Sequence, residues 1–244
     1  MGRDPIRRAS SIILGEVSVS APLHHLSEDL LRAHAVGAAS EGAGLVASCH
    51  ISLCPVCDET AASHAVVLDT LLGAAAVNDG GPSPALRARL LAELSLLPAV
   101  PPQAPAPPAR APRVLPADLP PLPAPLTSRL AALDDVAWHT LFPGLRAIDL
   151  HIGSAWRARL VCFRPGIPIP LHDHEGPEHT VVFSGGLDDD DGHLGRGDAT
   201  TMLPGHAHRQ RASLGEPCVA LIVSEAPPRP LTLVGRVMKR ITNS

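Results

Sequence analysis

Residues 166–185 have the sequence GIPIPLHDHEGPEHTVVFSG, in which two histidines and a glutamate stand beside an apolar run. His172 and His174 are two positions apart, and residues at that spacing point to the same side of a β-strand. Glu178 follows after a short turn, so its carboxylate can join the two imidazoles in one cluster. Because imidazole and carboxylate ligands suit divalent ions such as Zn²⁺, Fe²⁺ or Mn²⁺, the segment predicts a metal site within a β-structure.

The chain around this segment has the pattern of an all-β domain. From about residue 126 onward, a short helix at 126–133 precedes several segments of β character. Turns such as Ser184-Gly185-Gly186 separate these segments, and many short strands between turn residues are typical of a sandwich or a barrel. The segments are 147–152, 156–164, 179–183 and 218–223.

A second histidine-bearing segment opens at Gly197-Asp198 and contains His206 and His208. Residues 166–185 match the first cupin motif, Gly-x5-His-x-His-x3-Glu-x6-Gly, at every defined position, so this part of the chain resembles the cupins. His208 lies 11 residues after Gly197, where the second cupin motif places its metal histidine.

The cupin resemblance implies an all-β barrel over residues 126–244 that binds Zn²⁺ or another divalent metal. The ligands it implies are His172, His174, Glu178 and His208. The second motif is less regular, because its proline falls one position late and its final asparagine is absent, so His206 is the alternative fourth ligand. A cupin barrel that has lost its metal is the simpler alternative.

The first half of the chain is rich in alanine and leucine, which favour helices, and has no aromatic residue. Caps and breakers predict a small domain of about four helices over 22–97. Residues 98–125 include 12 prolines among 28 residues, which excludes a helix and predicts a Pro-rich linker between domains. We expect residues 1–21 to be a flexible N-terminal extension. The predicted helices are 27–37, 41–53, 55–76 and 84–97.

The helical domain contains His50, Cys54 and Cys57 in the pattern His-x3-Cys-x2-Cys. Two thiolates and an imidazole at this spacing suit a tetrahedral zinc ion. The proline after Cys54 predicts that a new helix begins there, and the positive end of that helix should lower the pKa of Cys57. His24 or His25 can supply the fourth ligand. A redox pair or two simply buried thiols are the alternatives.

Residues 24–57, HHLSEDLLRAHAVGAASEGAGLVASCHISLCPVC, resemble the zinc-binding anti-sigma family and especially its ChrR branch. The resemblance implies that His25 completes a closed zinc site with His50, Cys54 and Cys57. It also implies that the helical domain binds an extracytoplasmic-function sigma factor. The domain then blocks the surface with which the sigma factor binds RNA polymerase. The cupin is then the sensory half, and the sigma factor is released under oxidative stress of the singlet oxygen or organic peroxide type.

Charge and cysteine content narrow the functional class. Residues 22–97 carry eight acidic residues and three arginines, a balance of −5, which disfavours direct contact with nucleic acid and fits a basic partner. No apolar run approaches the roughly 20 residues needed to span a membrane. Five cysteines, an odd number without a secretion signal, indicate the reducing cytoplasm rather than a disulfide framework.

The alternative function is that of a metal-dependent cupin enzyme, for example a dioxygenase acting on a small molecule. Such an enzyme would not need the zinc motif, and its pocket usually has aromatic side chains that orient a substrate. This chain has five aromatic residues and no tyrosine, which favours a sensor. Composition and spacing predict a two-domain α+β protein with two metal sites. The family resemblance implies that it is an anti-sigma factor that regulates transcription and has no catalytic residues.

Overall fold

The computed structural model describes residues 21–78, 83–96, 115–153, 155, 157–233 and 235–237. Residues 1–20 of the predicted extension and 98–114 of the predicted linker lie outside the described residues. None of the described helices has the length and apolarity needed to cross a bilayer. They are α1 Glu28–Ala35, α2 Glu41–Ile51, α3 Pro55–Asn78, α4 Pro84–Leu96 and α5 Ala124–Ala131.

Local sequence explains where these helices begin. Ser27 Oγ accepts a hydrogen bond from the backbone N–H of Leu30 at 3.3 Å, and Ser40 Oγ accepts one from that of Ala43 at 3.2 Å. Such caps satisfy donors that the start of a helix leaves without partners. Pro55 begins α3, a position where its missing N–H costs little. The four helices predicted for the N-terminal half are confirmed.

The strands form two antiparallel sheets, one with the order β1-β2-β3-β10-β5-β8 and one with the order β11-β4-β9-β6-β7. Helices followed by an antiparallel two-sheet domain confirm the predicted α+β class. The strands are β1 His139–Phe142, β2 Leu145–Asp149, β3 Arg157–Phe163, β4 Pro168–His174, β5 Glu178–Ser184, β6 Leu187–Asp189, β7 His193–Leu194, β8 Ala199–Met202, β9 His208–Ala212, β10 Cys218–Ser224 and β11 Pro228–Pro230.

One apolar core lies between the two sheets. Val161 and Phe163 of β3 are buried there with Val182 of β5 and Ala220 of β10, and Leu187 of β6 contributes from the opposite sheet. These residues follow the period of two that places alternate side chains on one face of a strand. The core keeps the strands that carry the histidines in register.

A second apolar core lies between the helices and the outer face of the larger sheet. Leu160 of β3, Phe183 of β5 and Leu221 of β10 are buried in one cluster with Val46 of α2 and Leu126 of α5. The helical half and the barrel therefore share a core, although the sequence places a long linker between them.

The described end of the predicted linker also contributes to this second core. Leu115, Leu119 and Leu122 are partly buried and pack against its cluster. These residues therefore lie along the protein surface as packed chain and not as a spacer that holds two bodies apart.

Candidate metal centres

The structure brings the four predicted ligands of the helical half together, and we refer to them as the N-terminal cluster. His50 lies at the end of α2, Cys54 in the turn before α3, Cys57 in the first turn of α3, and His25 ahead of α1. One ligand atom of each residue lies within 4.8 Å of those of the other three. His25 Nδ1 is 3.3 Å from Cys54 Sγ and 3.6 Å from Cys57 Sγ.

These separations fit a zinc ion. Zn–S bonds of about 2.3 Å and Zn–N bonds of about 2.0 Å place neighbouring sulfur and nitrogen ligands about 3.5 Å apart in a tetrahedral site. His25 Nδ1 already lies close to that distance from both sulfurs. The donor set of two thiols and two imidazoles is one that zinc prefers.

The orientation of His50 also favours a metal ligand. Its Nδ1 lies 2.8 Å from the carbonyl oxygen of Gly197, to which an Nδ1–H can donate. Its Nε2 is buried and has no hydrogen-bond partner among the described residues. A histidine that donates one ring N–H to a carbonyl presents the other nitrogen to a metal, which is the usual arrangement around metal-binding histidines.

The prediction that the pKa of Cys57 is lowered is wrong when only the protein groups around the thiol are considered. Burial raises the pKa of the Cys57 thiol to about 11, and the neighbouring Cys54 adds to the effect. Removal from water outweighs the lowering effect of the backbone hydrogen bond from Leu26. A bound cation would therefore have to supply the stabilisation of the thiolate.

His24, the alternative to His25, faces the barrel. Its Nδ1 lies 3.3 Å from Asp198 Oδ2. Asp198 Oδ1 accepts the backbone N–H groups of Leu23 at 2.6 Å and of His24 at 2.9 Å. Asp198 opens the second histidine-bearing segment of the sequence, but this role has no local signal, because its partners lie about 175 residues away in the chain.

The four predicted ligands of the barrel, His172, His174, Glu178 and His208, also lie together, and we refer to them as the barrel cluster. His174 Nε2 lies 3.1 Å from His208 Nε2, which in turn lies 3.2 Å from His172 Nε2. Glu178 completes the group, with one ligand atom of each residue within 4.8 Å of the others. His172 and His208 face each other across the β4–β9 pair. Three imidazole nitrogens and a carboxylate that converge in this way fit a divalent cation.

The surroundings of the barrel cluster favour neutral imidazoles with inward-facing Nε2 atoms. His172 Nδ1 lies 3.0 Å from the carbonyl oxygen of Pro170, which leaves Nε2 for the centre of the cluster. Burial, together with the other histidines, lowers the pKa of both His174 and His208 to about 4. Their ring nitrogens therefore have lone pairs available for a metal at neutral pH.

Glu178 is held by a neighbouring strand. Its Oε2 accepts a hydrogen bond from the Ser224 hydroxyl at 2.7 Å. Burial raises the pKa of Glu178, and a cation among the imidazoles would oppose that effect.

The other flanking residues lie outside the barrel cluster. His206 is exposed, so His208 and not His206 is brought to the other ligands. His179 points away from the cluster, as strand alternation predicts, and its Nδ1 is 2.9 Å from Thr201 Oγ1. Asp173 accepts the backbone N–H of Gly205 at 2.9 Å and contacts the guanidinium of Arg229, which ties β4 to β11 and to the turn before β9.

Comparison with known proteins gives matches that cover most of the chain. Residues 127–226 match the ChrR cupin-like domain family. The anti-sigma-E factor ChrR of Cereibacter sphaeroides is 34% identical over 211 residues, which cover 84% of this chain and 91% of that protein. A crystal structure of Rhodobacter sphaeroides SigE in complex with the anti-sigma ChrR is similar with a TM-score of 0.59 and 28% identity, and covers 82% of this chain and 98% of that chain. The likeness thus extends beyond the barrel into the helical half.

Proposed function

The chain belongs to the ChrR family of anti-sigma factors, and on that premise we propose that it binds and inhibits an extracytoplasmic-function sigma factor. The observation that carries this proposal is the exposed apolar surface of α3 and α4. In the related structure, ChrR is seen in complex with SigE. We propose the same kind of partner for the helical half of this chain.

The helix α4 buries none of its residues in the described structure. Its leucines at 86, 90, 91, 94 and 96 are exposed to between 46% and 83%. On α3, Val66, Val67, Leu71 and Leu72 are exposed to between 57% and 65%. Large apolar side chains concentrated on two helices indicate a surface for a protein partner. The negative charge of residues 22–97 would complement a basic partner.

We propose that His25, His50, Cys54 and Cys57 bind a structural Zn²⁺. These residues would tie the segment before α1 to the α2–α3 turn, in a helical half without aromatic residues. Two thiolates balance the charge of one Zn²⁺, which lowers the cost of burying the site. Metal binding would then contribute directly to the folding of these helices.

We propose that His172, His174, Glu178 and His208 bind Zn²⁺ or another divalent cation. Such an ion supplies a Lewis-acidic centre when it is bound. This barrel would be the sensory half, and the sigma factor would be released under oxidative stress of the singlet oxygen or organic peroxide type. The protein would act in the cytoplasm, without direct contact with nucleic acid or membrane. The domain boundaries proposed are 22–97, 98–125 and 126–244, for helical domain, linker and cupin.

The family also decides between the two functional classes that the sequence left open. The relative that aligns with 84% of this chain is an anti-sigma factor, so a regulatory, non-enzymatic role is the one supported.

The test is the metal content and sigma binding of the purified protein. We expect two metals in the wild type, one of which is lost in Cys54→Ser/Cys57→Ser and one in His172→Ala/His174→Ala. Sigma capture should be lost with the cysteine pair alone, because the helices carry the docking surface. His206→Ala, an exposed histidine outside the barrel cluster, is the matched control and should change neither result. Sigma capture that is absent, or indifferent to loss of the N-terminal metal, would contradict the proposal.

A further inference from the structure

The ring of His208 has one nitrogen inside the barrel cluster and one nitrogen outside it. Its Nε2 lies 3.1 Å from His174 Nε2 and 3.2 Å from His172 Nε2. Its Nδ1 is buried and has no hydrogen-bond partner among the described residues. The Nδ1 of His172, by contrast, lies beside the carbonyl oxygen of Pro170. Because a buried polar atom without a partner is rare in a folded protein, the residue that faces His208 Nδ1 is of interest.

The carboxylate of Asp189 on β6 faces this nitrogen. Asp189 Oδ2 lies 3.9 Å from His208 Nδ1, and the side chain of each residue is only 6% exposed. Asp189 comes two positions after Leu187, which is buried in the core between the sheets, so both side chains point to the interior of the barrel. A direct hydrogen bond needs the two atoms about 1 Å closer together, which places the pair within reach of one.

Asp189 is one of four consecutive aspartates, and the other three lie at the surface. Asp188 Oδ1 is 2.7 Å from His193 Nδ1, and its Oδ2 accepts a hydrogen bond from the Ser213 hydroxyl at 2.9 Å. The two aspartates that follow Asp189 are exposed. Of these four acids, Asp189 is therefore the one whose carboxylate is turned towards the barrel cluster.

The position of Asp189 is fixed by its own turn and by the neighbouring strand. Its Oδ1 accepts the backbone N–H groups of Asp191 at 2.9 Å and of Gly192 at 3.0 Å. Its backbone lies opposite Gln210 of β9, two residues after His208. These contacts hold one carboxylate oxygen on the turn and leave Oδ2 for the histidine.

A carboxylate in this position decides which nitrogen of a neutral imidazole carries the proton. An acceptor beside Nδ1 favours the tautomer with Nδ1–H, in which the Nε2 lone pair is free to bind a cation. The opposite tautomer would direct an Nε2–H at the other two imidazoles and would exclude a cation. Metal-binding histidines usually donate their second ring N–H to a carboxylate or a carbonyl, and such a partner makes the metal-binding nitrogen more basic.

We propose that Asp189 is a positioning residue of the barrel metal site. Its carboxylate accepts the Nδ1–H of His208, which keeps Nε2 unprotonated and directed into the barrel cluster. This inference rests on the cation proposed for that cluster, and it gives one residue of the aspartate turn a role in the metal site. It does not depend on the proposed sigma binding, because the exposed apolar surface belongs to α3 and α4.

The first test is NMR of the full-length protein with ¹⁵N-labelled histidines, after a chelator has removed the barrel metal. The signals of His208 are those that are missing in His208→Gln, and we expect the Nδ1–H tautomer in the wild type. In Asp189→Asn the turn N–H groups take the amide oxygen and the amide NH₂ faces the ring, so the tautomer should change to Nε2–H. A residue that only stabilised the turn would not change the tautomer.

The second test is the metal affinity of the barrel cluster, measured by titration with Co²⁺. Thiolate ligands give Co²⁺ an intense near-ultraviolet absorption, which distinguishes the N-terminal cluster from the barrel cluster. We expect Asp189→Asn to weaken binding at the barrel cluster by about 10–100-fold and to leave the thiolate absorption unchanged. Asp188→Asn is the matched control. It removes the same charge from the adjacent residue, whose carboxylate faces His193 and Ser213, so it should leave the barrel affinity unchanged.

Two results would overturn the proposal. One is the Nε2–H tautomer of His208 in the wild type, a measurement that needs no folded variant of Asp189. The other is equal barrel affinity in Asp189→Asn and Asp188→Asn. A wild type that binds no metal at the barrel cluster would overturn this inference together with the proposed barrel site, whereas either result in a metal-binding wild type would leave that site standing. Sigma capture measured on the same samples tests the proposed sigma binding separately.

Discussion

At the scale of single residues, the local sequence pattern does not decide which of two nearby histidines is the metal ligand. The residues alone leave His24 and His25 equally open, and the family resemblance selects His25. In the structure His25 faces the two sulfurs, whereas His24 lies beside Asp198. Likewise His208 lies among the imidazoles and His206 is exposed. Spacing predicts which residue types can meet, but a choice between neighbours depends on partners far along the chain.

His25→Ala should remove the N-terminal metal, whereas His24→Ala should retain it. Loss of a partner that only supports a ligand already costs about 10–100-fold in metal affinity, so loss of a ligand should cost more than about 100-fold. Competition with a chromophoric chelator measures the affinity, and elemental analysis measures the zinc content. The two variants are matched, because each removes one imidazole from the same segment. Zinc loss from His24→Ala with retention in His25→Ala would reverse the assignment.

At the scale of elements, the sequence predicts the helices better than the strands. Helices α1 to α4 have caps, prolines and breakers at their ends, and these signals are local. The strands β6, β7 and β11 have two or three residues each, too few to show a period of two. β4 contains Pro168 and Pro170, which ordinarily argue against a central strand, and its pairing with β9 shifts register between Ile169 and His172. The histidine spacing indicates a strand here although the prolines do not.

The contact of α2 with the sheet makes a prediction at this scale. A Cβ at Gly42 would lie 2.6 Å from Val223 Cγ1 on β10, whereas one at Gly44 would meet nothing closer than 3.9 Å. Gly44→Ala should raise the free energy of unfolding by about 0.5–1 kcal/mol, because alanine favours the helix. Gly42→Ala should lower it by about 1–2 kcal/mol, because overpacking outweighs that gain. Urea denaturation measures the free energy of unfolding of both variants. Equal effects would mean that α2 is not closely packed against β10 at Gly42.

At the scale of the whole molecule, the N-terminal cluster is partly built by the barrel. The Gly197 carbonyl oxygen orients His50 across 147 residues of sequence, and the Asp198 carboxylate holds the backbone just ahead of His25. The strand that follows, β8, pairs with β5, so Met202 lies opposite Glu178 of the barrel cluster. The two clusters are therefore connected through one turn and one strand pair. This connection has no signal in the sequence, because a Pro-rich segment between two motifs suggests separate bodies and the contacts that join them are all long-range.

Asp198→Asn should loosen the helical half from the barrel. Asp198 is 4% exposed. In the variant, an amide NH₂ replaces one carboxylate oxygen, and this group cannot accept the hydrogen bond that a backbone N–H donates to that oxygen. A buried donor left without a partner costs about 1–3 kcal/mol, so the free energy of unfolding should fall by about that amount. Hydrogen exchange followed by mass spectrometry should show faster exchange at Leu23 and His24, and the N-terminal zinc should be released more readily to a chelator.

Asp189→Asn is the matched control for that experiment, because Asp189 Oδ1 also accepts two backbone N–H groups, from Asp191 and Gly192 at 2.9 and 3.0 Å. Those two hydrogen bonds stay within one turn of the barrel, and the other carboxylate oxygen lies 3.9 Å from His208 Nδ1 of the barrel cluster. None of these contacts reaches the segment before α1, so this variant should leave exchange at residues 22–26 unchanged. If the two variants loosen residues 22–26 equally, the effect is a general loss of barrel stability. If neither does, the carboxylate of Asp198 does not hold the segment before α1. Faster exchange in Asp198→Asn alone would mean that the barrel turn and the N-terminal cluster are energetically coupled, which is the link that a sensor in the barrel needs in order to act on the helices.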